Sequence, residues 1–394
     1  MRSAFLQIAT IVLLLTSKPL LCRAVCPSAM HQTTLANFVV NQEGTRIAAV
    51  GHDGTLFWWD TRKGTRTELL DCIKFSGLNP ALSFSLASSL LAVAGSGGVL
   101  LFDIASGKLL RTLDGKCPNA EYMVFSGNGD RLATSSDEGV CVWHVLDGKR
   151  LFFLPGRVER FAFRLDQEGR SLFIAKDHRI ERWNVDNNAI TTSIVLPAGE
   201  TAAAIALDDR GRMLVTQLRH SLPVHPGDTH SRFQYQFAAW DVETGKEQER
   251  FGEETGELAY PLQTLQSQKL LASTYDGIFY VWDLEMGRLI RRLKAGVVAM
   301  SGDGHMLAKT RIGIPFRVEL WNIGEPQSQA RSLFYRSPTC EAVEPEKTRF
   351  EITLTGDSRT QASAMVGWQV FVSQDCTPVS YSHAWMDSPE QAAQ

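Results

Sequence analysis

Short apolar runs separated by Gly-containing turns recur along the chain from residue 35 to residue 336. The first unit contains the runs Leu35–Val40, Arg46–Val50, Thr55–Asp60 and Arg66–Leu70, and the second contains Leu82–Leu86, Leu90–Ala94, Val99–Ile104 and Lys108–Leu113. Turn pairs such as Glu43-Gly44 and Asp53-Gly54 separate successive runs. Runs of this length joined by tight turns predict four-stranded antiparallel meanders.

An aromatic residue closes the third run of every unit. These anchors are Trp59, Phe102, Trp143, Trp183, Trp240, Trp282 and Trp321, and they are 39 to 43 residues apart except for one interval of 57 residues. A period of about forty residues indicates a repeat protein. We expect the anchors to be structural residues that fill the space between neighbouring sheets, and we do not expect them to stack on a cofactor.

A single four-stranded sheet of this kind has two apolar faces and cannot bury both by itself. Packing the sheets radially solves this problem, so the pattern predicts an all-β protein with the architecture of a β-propeller. The segment from Phe125 to Lys149 is the most complete copy of the unit. It contains Gly-Asn-Gly-Asp before its first strand and Asp-Gly-Lys after its anchor.

These features resemble the WD40 repeat, over residues 31 to about 336. The resemblance implies a propeller that mostly binds proteins. This chain differs from the family in one consistent way, because the Gly-His pair that usually precedes the first strand is missing from every unit. In that family the His joins a hydrogen-bond relay with a strand Ser or Thr, the turn Asp and the Trp. Asp137, Trp143, Asp276 and Trp282 are present without that His, so we expect a divergent WD40-like propeller that lacks the full relay.

Seven complete units fit between residues 35 and 336, and three more β-runs follow at Thr348–Thr355, Gln361–Ser373 and Val379–Trp385. We therefore expect a seven-bladed propeller over residues 25–336 with a C-terminal β extension over 337–387. The alternative is an eight-bladed propeller whose last blade takes its outer strand from Val25–Met30. Pro27 cannot donate a ladder hydrogen bond, which disfavours that alternative. Residues 388–394 are predicted to be a disordered tail.

Residues 1–24 have the features of a secretory signal peptide. Arg2 precedes an apolar run from Ile8 to Leu15, and a small residue, Ala24, ends the segment. We expect cleavage and export to a periplasm or the extracellular space, with no membrane-spanning segment afterwards. A retained anchor or a lipid attachment is the alternative. The formal charge of the whole chain is −3, and an acidic surface argues against nucleic acid as a partner.

The cysteines of the segment after residue 24 fit an exported protein. There are six, and an even number permits disulfide bonds. We expect Cys340 to pair with Cys376, and Cys72 with Cys117 because these two occupy equivalent places in successive units. Cys141 lies within an apolar strand, where we expect a buried free thiol.

The long interval contains an insertion over residues 218–232, between the second and third runs of the fifth unit. In a propeller such a loop emerges on the face that also carries the connections between blades. We predict that it contacts a protein partner through Arg219, His220, His225, His230 and Arg232. The three histidines could also bind zinc or copper, but a polar loop rich in turn-forming residues is the better explanation, so we predict no metal.

Sequence motifs of hydrolases, metalloproteases and nucleotide-binding enzymes are missing from the chain. We therefore expect a scaffold without cofactors or catalytic residues that binds a protein partner. The alternative is a propeller enzyme, a hydrolase, lyase or dehydrogenase, with its site at the mouth of the central channel. Three or more acidic, His or Arg side chains that converge there would favour the enzyme. The sequence does not determine the oligomeric state.

Overall fold

The computed structural model describes most of residues 35–322 and a few short segments beyond them. The described residues are 35–51, 54–70, 73–74, 80–85, 89–114, 117–208, 210–222, 233–255, 263–265, 269–273, 278–284, 288–294, 298–303, 305–311, 314–322, 331–334, 365–367, 371–372, 378–380 and 383–385. The predicted signal peptide, the segment Val25–Met30, the run Thr348–Thr355 and the predicted tail lie outside them.

The first four sheets follow one another along the chain. Sheet 1 contains β1 (Leu35–Val40), β2 (Arg46–Gly51), β3 (Leu56–Asp60) and β4 (Arg66–Leu70). Sheet 2 contains β5 (Leu82–Phe84), β6 (Leu90–Gly95), β7 (Gly98–Asp103) and β8 (Lys108–Leu113). Sheet 3 contains β9 (Tyr122–Phe125), β10 (Arg131–Ser136), β11 (Gly139–His144) and β12 (Arg150–Pro155). Sheet 4 contains β13 (Phe163–Leu165), β14 (Ser171–Lys176), β15 (Arg179–Asn184) and β16 (Ala189–Val195).

Three further four-stranded sheets and four short strands follow. Sheet 5 contains β17 (Glu200–Leu207), β18 (Met213–Ser221), β19 (Phe233–Asp241) and β20 (Glu247–Thr255). Sheet 6 contains β21 (Gln263–Leu265), β22 (Lys269–Ser273), β23 (Ile278–Asp283) and β24 (Arg288–Lys294). Sheet 7 contains β25 (Val298–Met300), β26 (Met306–Arg311), β27 (Ile314–Asn322) and β28 (Arg331–Phe334). The short strands are β29 (Met365–Gly367), β30 (Phe371–Val372), β31 (Pro378–Ser380) and β32 (His383–Trp385).

Each four-stranded sheet is an antiparallel meander with its strands in chain order. The prediction of an all-β propeller built from such meanders is confirmed, and the strand bounds of sheet 1 agree with the predicted runs to within one residue. Beyond sheet 7, β29 pairs with β32 and β30 pairs with β31, so the described strands there form two-stranded ladders.

The first strands of neighbouring sheets lie next to one another. β1 contacts β5, β5 contacts β9, β9 contacts β13, β13 contacts β17, and β17 contacts β21. The first strand of sheet 7, β25, contacts β1 of sheet 1. The first strands therefore line the centre of the molecule, and the fourth strands form its outer edge.

The buried side chains form apolar clusters between adjacent sheets. One cluster lies between sheets 1 and 2, another between sheets 2 and 3, and the largest extends across sheets 3, 4 and 5. A fourth joins sheet 5 to Trp282 of sheet 6. Phe38, Ile47 and Trp59 of sheet 1 share a cluster with Val318 and Leu320 of sheet 7.

Five of the anchor aromatics belong to these clusters, and Trp183 packs against one of them. Five of them are buried, namely Trp59, Phe102, Trp143, Trp240 and Trp282. Trp183 and Trp321 are partly buried, and Trp183 packs edge-on against Phe152 of sheet 3 with ring centroids 5.6 Å apart. Large aromatic side chains at one position of every sheet supply much of the buried area that joins the sheets.

The disulfide pattern differs from the prediction. Cys117 forms a disulfide with Cys141, with Cα atoms 6.3 Å apart. The predicted Cys72–Cys117 pair is therefore wrong, and Cys141 is not a free thiol. Cys117 lies in the connection from sheet 2 to sheet 3, and Cys141 lies in β11 of sheet 3. The disulfide therefore attaches this connection to β11. Cys72, Cys340 and Cys376 lie outside the described residues.

Candidate protein-interaction face

Two kinds of loop meet at one end of the sheets. One kind joins the second strand of a sheet to its third, and the other joins one sheet to the next. Arg157, in the connection from sheet 3 to sheet 4, lies 3.1 Å from Asp137 in the β10–β11 turn and 3.7 Å from Glu121 before β9. These contacts place both kinds of loop at the same end, which we name the connection face.

The β18–β19 hairpin on this face has longer strands than the equivalent hairpins of sheets 3 and 4. Both strands have nine residues, whereas β10, β11, β14 and β15 have six each. The ladder continues to the pair Ser221 and Phe233. Residues 218–221 therefore continue β18, although the sequence had assigned them to the insertion. His225, His230 and Arg232 lie outside the described residues.

Arg219 braces the base of this hairpin. Its Nε donates a hydrogen bond to Thr201 Oγ1 at 3.1 Å, and its Nη1 lies 3.4 Å from Glu159 Oε1. Its guanidinium also lies over the Phe233 ring, with Cζ 5.2 Å from the ring centroid. Arg219 thus ties both strands of the hairpin to the connection between sheets 3 and 4.

His220 is exposed on the same hairpin. It lies opposite Glu200 on one side and Gln234 on the other in the strand register. Of the residues predicted to contact a partner, Arg219 and His220 are the two that the structure describes. His220 is at the surface, whereas Arg219 is largely engaged by its neighbours.

A second brace involves Glu200, the first residue of sheet 5. Its carboxylate accepts two hydrogen bonds from Arg250, at 2.7 and 2.9 Å, and Arg250 also pairs with Glu247. These bonds, with Glu200 contributing most, raise the pKa of Arg250 above its ordinary value. The Glu200 carbonyl oxygen accepts a hydrogen bond from His178 Nδ1 at 2.8 Å.

A shallow cavity of about 400 Å³ lies between sheets 3 and 4. It is lined by Leu154, Lys176, Asp177, His178, Arg179, Glu181 and Trp183. Trp183 Nε1 donates to Glu181 Oε2 at 3.0 Å, so one of the two carboxylates that line this cavity is engaged by the anchor. The cavity contains no paired nucleophile and base of the kind that hydrolysis requires.

Part of the WD40 hydrogen-bond relay is present. Trp143 Nε1 donates to Thr134 Oγ1 at 3.0 Å, and Trp240 Nε1 donates to Thr216 Oγ1 at 2.9 Å. Asp137 does not join this pair, because its exposed carboxylate contacts Arg157 instead. In sheets 3 and 5 the buried hydrogen bond between Trp and Thr is therefore present. In sheet 3 the turn Asp does not take part in it.

The carboxylates with lowered pKa values do not converge on a site. Asp60, Asp103 and Asp241 end the third strands of sheets 1, 2 and 5, and Asp147 lies in the third-to-fourth strand turn of sheet 3. In each, hydrogen bonds from the same turn keep the pKa below its ordinary value of 3.8. Backbone N–H groups of Lys63, Lys149 and Thr244 contribute most for Asp60, Asp147 and Asp241, and the Ser106 hydroxyl contributes most for Asp103. These are turn-capping groups.

Within the described ranges, no group of three or more His, Cys, Asp or Glu side chains is arranged to hold a metal ion. No helix in the part of the chain that the structure describes is long and apolar enough to span a membrane.

Sequence reasoning missed the braces made by Arg157, Glu159, Glu200 and Arg250. The paired residues are far apart in sequence, with 50 positions between Arg250 and Glu200 and 60 between Arg219 and Glu159. Glu200 and Arg250 lie on the first and fourth strands of sheet 5, and Arg219 and Glu159 lie on sheet 5 and on the connection between sheets 3 and 4. Only the tertiary fold brings these residues together, so no local motif marks them.

Comparisons with known proteins agree with this architecture. The family model described as "WD domain, G-beta repeat" matches residues 107–144. The protein ROOT INITIATION DEFECTIVE 3 of Arabidopsis thaliana is 24% identical over 289 residues, which cover 68% of this chain and 62% of that protein. The target of rapamycin complex subunit wat1 of Schizosaccharomyces pombe is 26% identical over 179 residues, which cover 44% of this chain and 56% of that protein. The chain thus spans about six tenths of the length of these relatives.

Two solved structures share the fold. The β-propeller domain of Cps50 (Swd1) from Myceliophteria thermophila has a TM-score of 0.56 at 18% identity, and the match covers 74% of this chain and 97% of that domain. The hydrazine synthase of Kuenenia stuttgartiensis has a TM-score of 0.57 at 12% identity, and the match covers 74% of this chain and 96% of that one. Together with the repeat at residues 107–144, these matches make the chain a WD40-like β-propeller.

Proposed function

We propose that this WD40-like β-propeller is a non-catalytic scaffold that binds a protein partner through its connection face. The β18–β19 hairpin and the residues 222–232 that it carries supply much of the contact. No cofactor takes part.

The extended hairpin is the observation that carries the proposal. Its outer part, from Leu218 to Ser221 on one strand and from Phe233 to Gln236 on the other, adds ladder pairs beyond those of the neighbouring sheets. Arg219 fixes its base through Thr201, Glu159 and Phe233. The contacts of Arg219 hold the ends of the two strands, Ser221 and Phe233, in a fixed position, and preorganised strand ends reduce the entropy lost on binding.

The relatives support a binding role. One of them is by name a subunit of a protein complex, and a propeller that assembles complexes needs exposed loops more than a reactive cavity. The enzyme hypothesis gains less support, because the carboxylates with shifted pKa values are distributed over four separate turns.

Replacing residues 222–232 with Asn-Gly tests the proposal, because that dipeptide closes a two-residue hairpin between the paired residues Ser221 and Phe233. We expect the thermal unfolding midpoint to stay nearly unchanged. Affinity purification of the protein from its native compartment, followed by mass spectrometry, should no longer recover the partner that the intact protein binds.

Alanine substitution of Arg62 and Lys63 is the matched control, since these residues lie in a turn at the opposite end of the sheets. The control variant should recover the partner as the intact protein does. Undiminished recovery by the Asn-Gly variant would refute the role of the hairpin.

We also propose seven blades, one for each four-stranded sheet. The contact between β25 and β1 supports this count, because it joins the first and last of these sheets. In this arrangement residues 337–387 are a C-terminal β extension.

Export to a periplasm or the extracellular space belongs to the same proposal. The disulfide between Cys117 and Cys141 supports it, since such bonds persist mainly in oxidising compartments. Sequencing the amino terminus of protein purified from its native host tests it: a start near residue 25 is expected, and a start at Met1 would refute cleavage.

A further inference from the structure

Two leucines are exposed where the outer edge of sheet 2 meets the β11–β12 turn of sheet 3. The side chain of Leu110 in β8 is 57% exposed, and that of Leu146 in the turn is 79% exposed. Arg111, next to Leu110 in sequence, donates from Nη2 to the Leu146 carbonyl at 2.7 Å. We name Leu110, Arg111 and Leu146 the leucine patch.

The turn that carries Leu146 is held in place from both sides. Arg111 Nη1 donates to the Asp147 carbonyl at 2.8 Å, in addition to the bond to Leu146. The Asp147 carboxylate lies 2.8 Å from His144 Nδ1 and accepts from the Lys149 backbone N–H at 2.9 Å. Leu146 is therefore presented to solvent on a fixed backbone.

The equivalent turns of other sheets carry no large apolar residue at this position. The corresponding residues in sheets 1, 2, 4 and 5 are Arg62, Ala105, Asp186 and Glu243. Single exposed apolar residues are common on protein surfaces. Here a leucine replaces charged or small residues in a repeated turn, and a second exposed leucine adjoins in sequence the arginine that holds this turn.

Cationic side chains flank the patch. Lys108 and Lys149 are exposed, and neither forms an ion pair with a residue that the structure describes. Arg150, also exposed, stacks over Phe153 at 5.4 Å. Asp103 and Asp147 keep their negative charges, but the four cations Lys108, Arg111, Lys149 and Arg150 outnumber these two acids. The surface around the leucines therefore complements negative charge.

We propose that the leucine patch is a second docking surface, for a segment of a partner protein that combines large apolar and acidic side chains. The apolar residues of that segment cover Leu110 and Leu146, and its carboxylates approach Lys108, Lys149 and Arg150. Leu146 lies in a third-to-fourth strand turn, and Leu110 and Arg111 lie near the start of the fourth strand β8, so the patch is toward the end of the sheets opposite to the connection face. It is thus separate from the site of the proposed function.

A displayed library of random peptides, selected on the intact protein, tests this inference. We expect selection of peptides rich in Leu, Ile, Phe or Met together with Asp and Glu. Resynthesised peptides should bind Leu146→Asp and Leu110→Asp variants at least tenfold more weakly than the intact protein, since burial of one leucine corresponds to about that change in affinity.

Val195→Asp is the matched control, because Val195 is 72% exposed on the outer edge strand of sheet 4. That variant should bind the peptides as the intact protein does. Unchanged circular dichroism and thermal unfolding of all three variants would show that binding, and not folding, was affected. The Asn-Gly variant of the β18–β19 hairpin should also bind normally, which distinguishes this inference from the proposed function.

Three results would overturn the inference. The first is that the library yields no binding peptide, or that the selected peptides bind the intact protein and the Leu146→Asp variant with equal affinity. The second is a dimer in sedimentation velocity that Leu146→Asp dissociates, which would assign the patch to a second copy of the chain. The third is cosedimentation with phosphatidylserine vesicles that Leu146→Asp abolishes, which would assign it to a membrane.

Discussion

At the scale of single residues, the buried pairs of Trp and Thr show what the family pattern retains here. Trp143 and Trp240 each donate to a Thr hydroxyl two residues beyond their cross-strand partner, Leu132 or Leu214. Both threonines are fully buried. A buried indole N–H that loses its acceptor retains the cost of its desolvation, so these hydroxyls stabilise the fold even without the rest of the relay.

We predict that Thr216→Val destabilises the protein by about 1–3 kcal/mol, because it leaves Trp240 Nε1 without an acceptor in nearly the same volume. Urea unfolding followed by tryptophan fluorescence measures the effect. Thr67→Val, at an exposed position of β4, should change the free energy of unfolding by less than about 0.5 kcal/mol. Equal effects of the two substitutions would contradict the role of the hydroxyl.

The aspartates that follow the anchors act within their own turns. Asp103 Oδ1 accepts from the Ser106 backbone N–H at 2.7 Å and from the Ser106 hydroxyl at 2.6 Å. Asp241 contacts Thr244 in the same way. Because donors favour the ionised form, these contacts explain both the lowered pKa values and the recurrence of Asp at this position.

We predict that these aspartates contribute to loss of stability in acid. A lowered pKa in the folded state means that the contribution is complete above the ordinary value of 3.8 and is lost as the pH falls through the lower folded value. Asp103→Asn keeps an acceptor but cannot titrate, so the slope of the free energy of unfolding against pH should be smaller below pH 3.8. An unchanged slope in urea unfolding at several acid pH values would contradict this.

At the scale of the elements, the hairpin turns explain why glycine recurs before the third strand. Gly98 begins β7 with φ at 130°, and a Cβ there would clash with the carbonyl oxygen of Leu113 in the edge strand. Gly139 begins β11 in the same way, against the carbonyl of Leu154. At these two positions the third strand lies too close to the carbonyl of the fourth for any side chain.

We predict that Gly98→Ala destabilises the protein by about 2–4 kcal/mol, from backbone strain and this clash. The neighbouring Gly97→Ala is the control, because a Cβ at Gly97 would meet no atom within 4 Å. It should change the free energy of unfolding by less than about 0.5 kcal/mol. Chemical denaturation distinguishes the two, and a similar cost for both would argue against the clash.

The disulfide between Cys117 and Cys141 stabilises the connection before sheet 3. The bond closes a loop with a sequence separation of 24, for which the chain-entropy model gives about 3 kcal/mol. We predict that the double substitution Cys117→Ala and Cys141→Ala costs about that amount in urea unfolding. A peptide map without reduction should contain the Cys117–Cys141 crosslink, and a Cys72–Cys117 crosslink would contradict the structure.

The elements of this fold were largely predictable, and its cross-sheet contacts were not. The bounds of β1 to β4 follow from alternating apolar residues and turn glycines, which are local signals. The partner of Cys117 depends on how the connection before β9 lies against β11. In the same way, residues 218–221 read as part of a loop because Arg219 and His220 are polar, whereas their pairing with residues 233–236 makes them a strand.

At the scale of the whole molecule, stability depends on the interfaces between sheets. Sheet 1 contributes to two clusters, with Ala48, Val50 and Trp58 toward sheet 2 and Phe38, Ile47 and Trp59 toward sheet 7. Sheet 1 therefore buries its two faces against different neighbours. In an open array the two end sheets would each leave one face uncovered, and contact between sheets 1 and 7 removes that cost.

We predict that this contact couples residues at the two ends of the repeat region. Trp59→Phe and Val318→Ala should show a coupling energy of about 0.5 kcal/mol or more in a double-mutant cycle, since both residues lie in one cluster. Trp59→Phe combined with Leu172→Ala, in the cluster across sheets 3 to 5, should be additive. Urea unfolding of the single and double variants measures both cycles. Additivity of the first pair would mean that sheets 1 and 7 do not pack together in solution, and the ring of sheets would then be open.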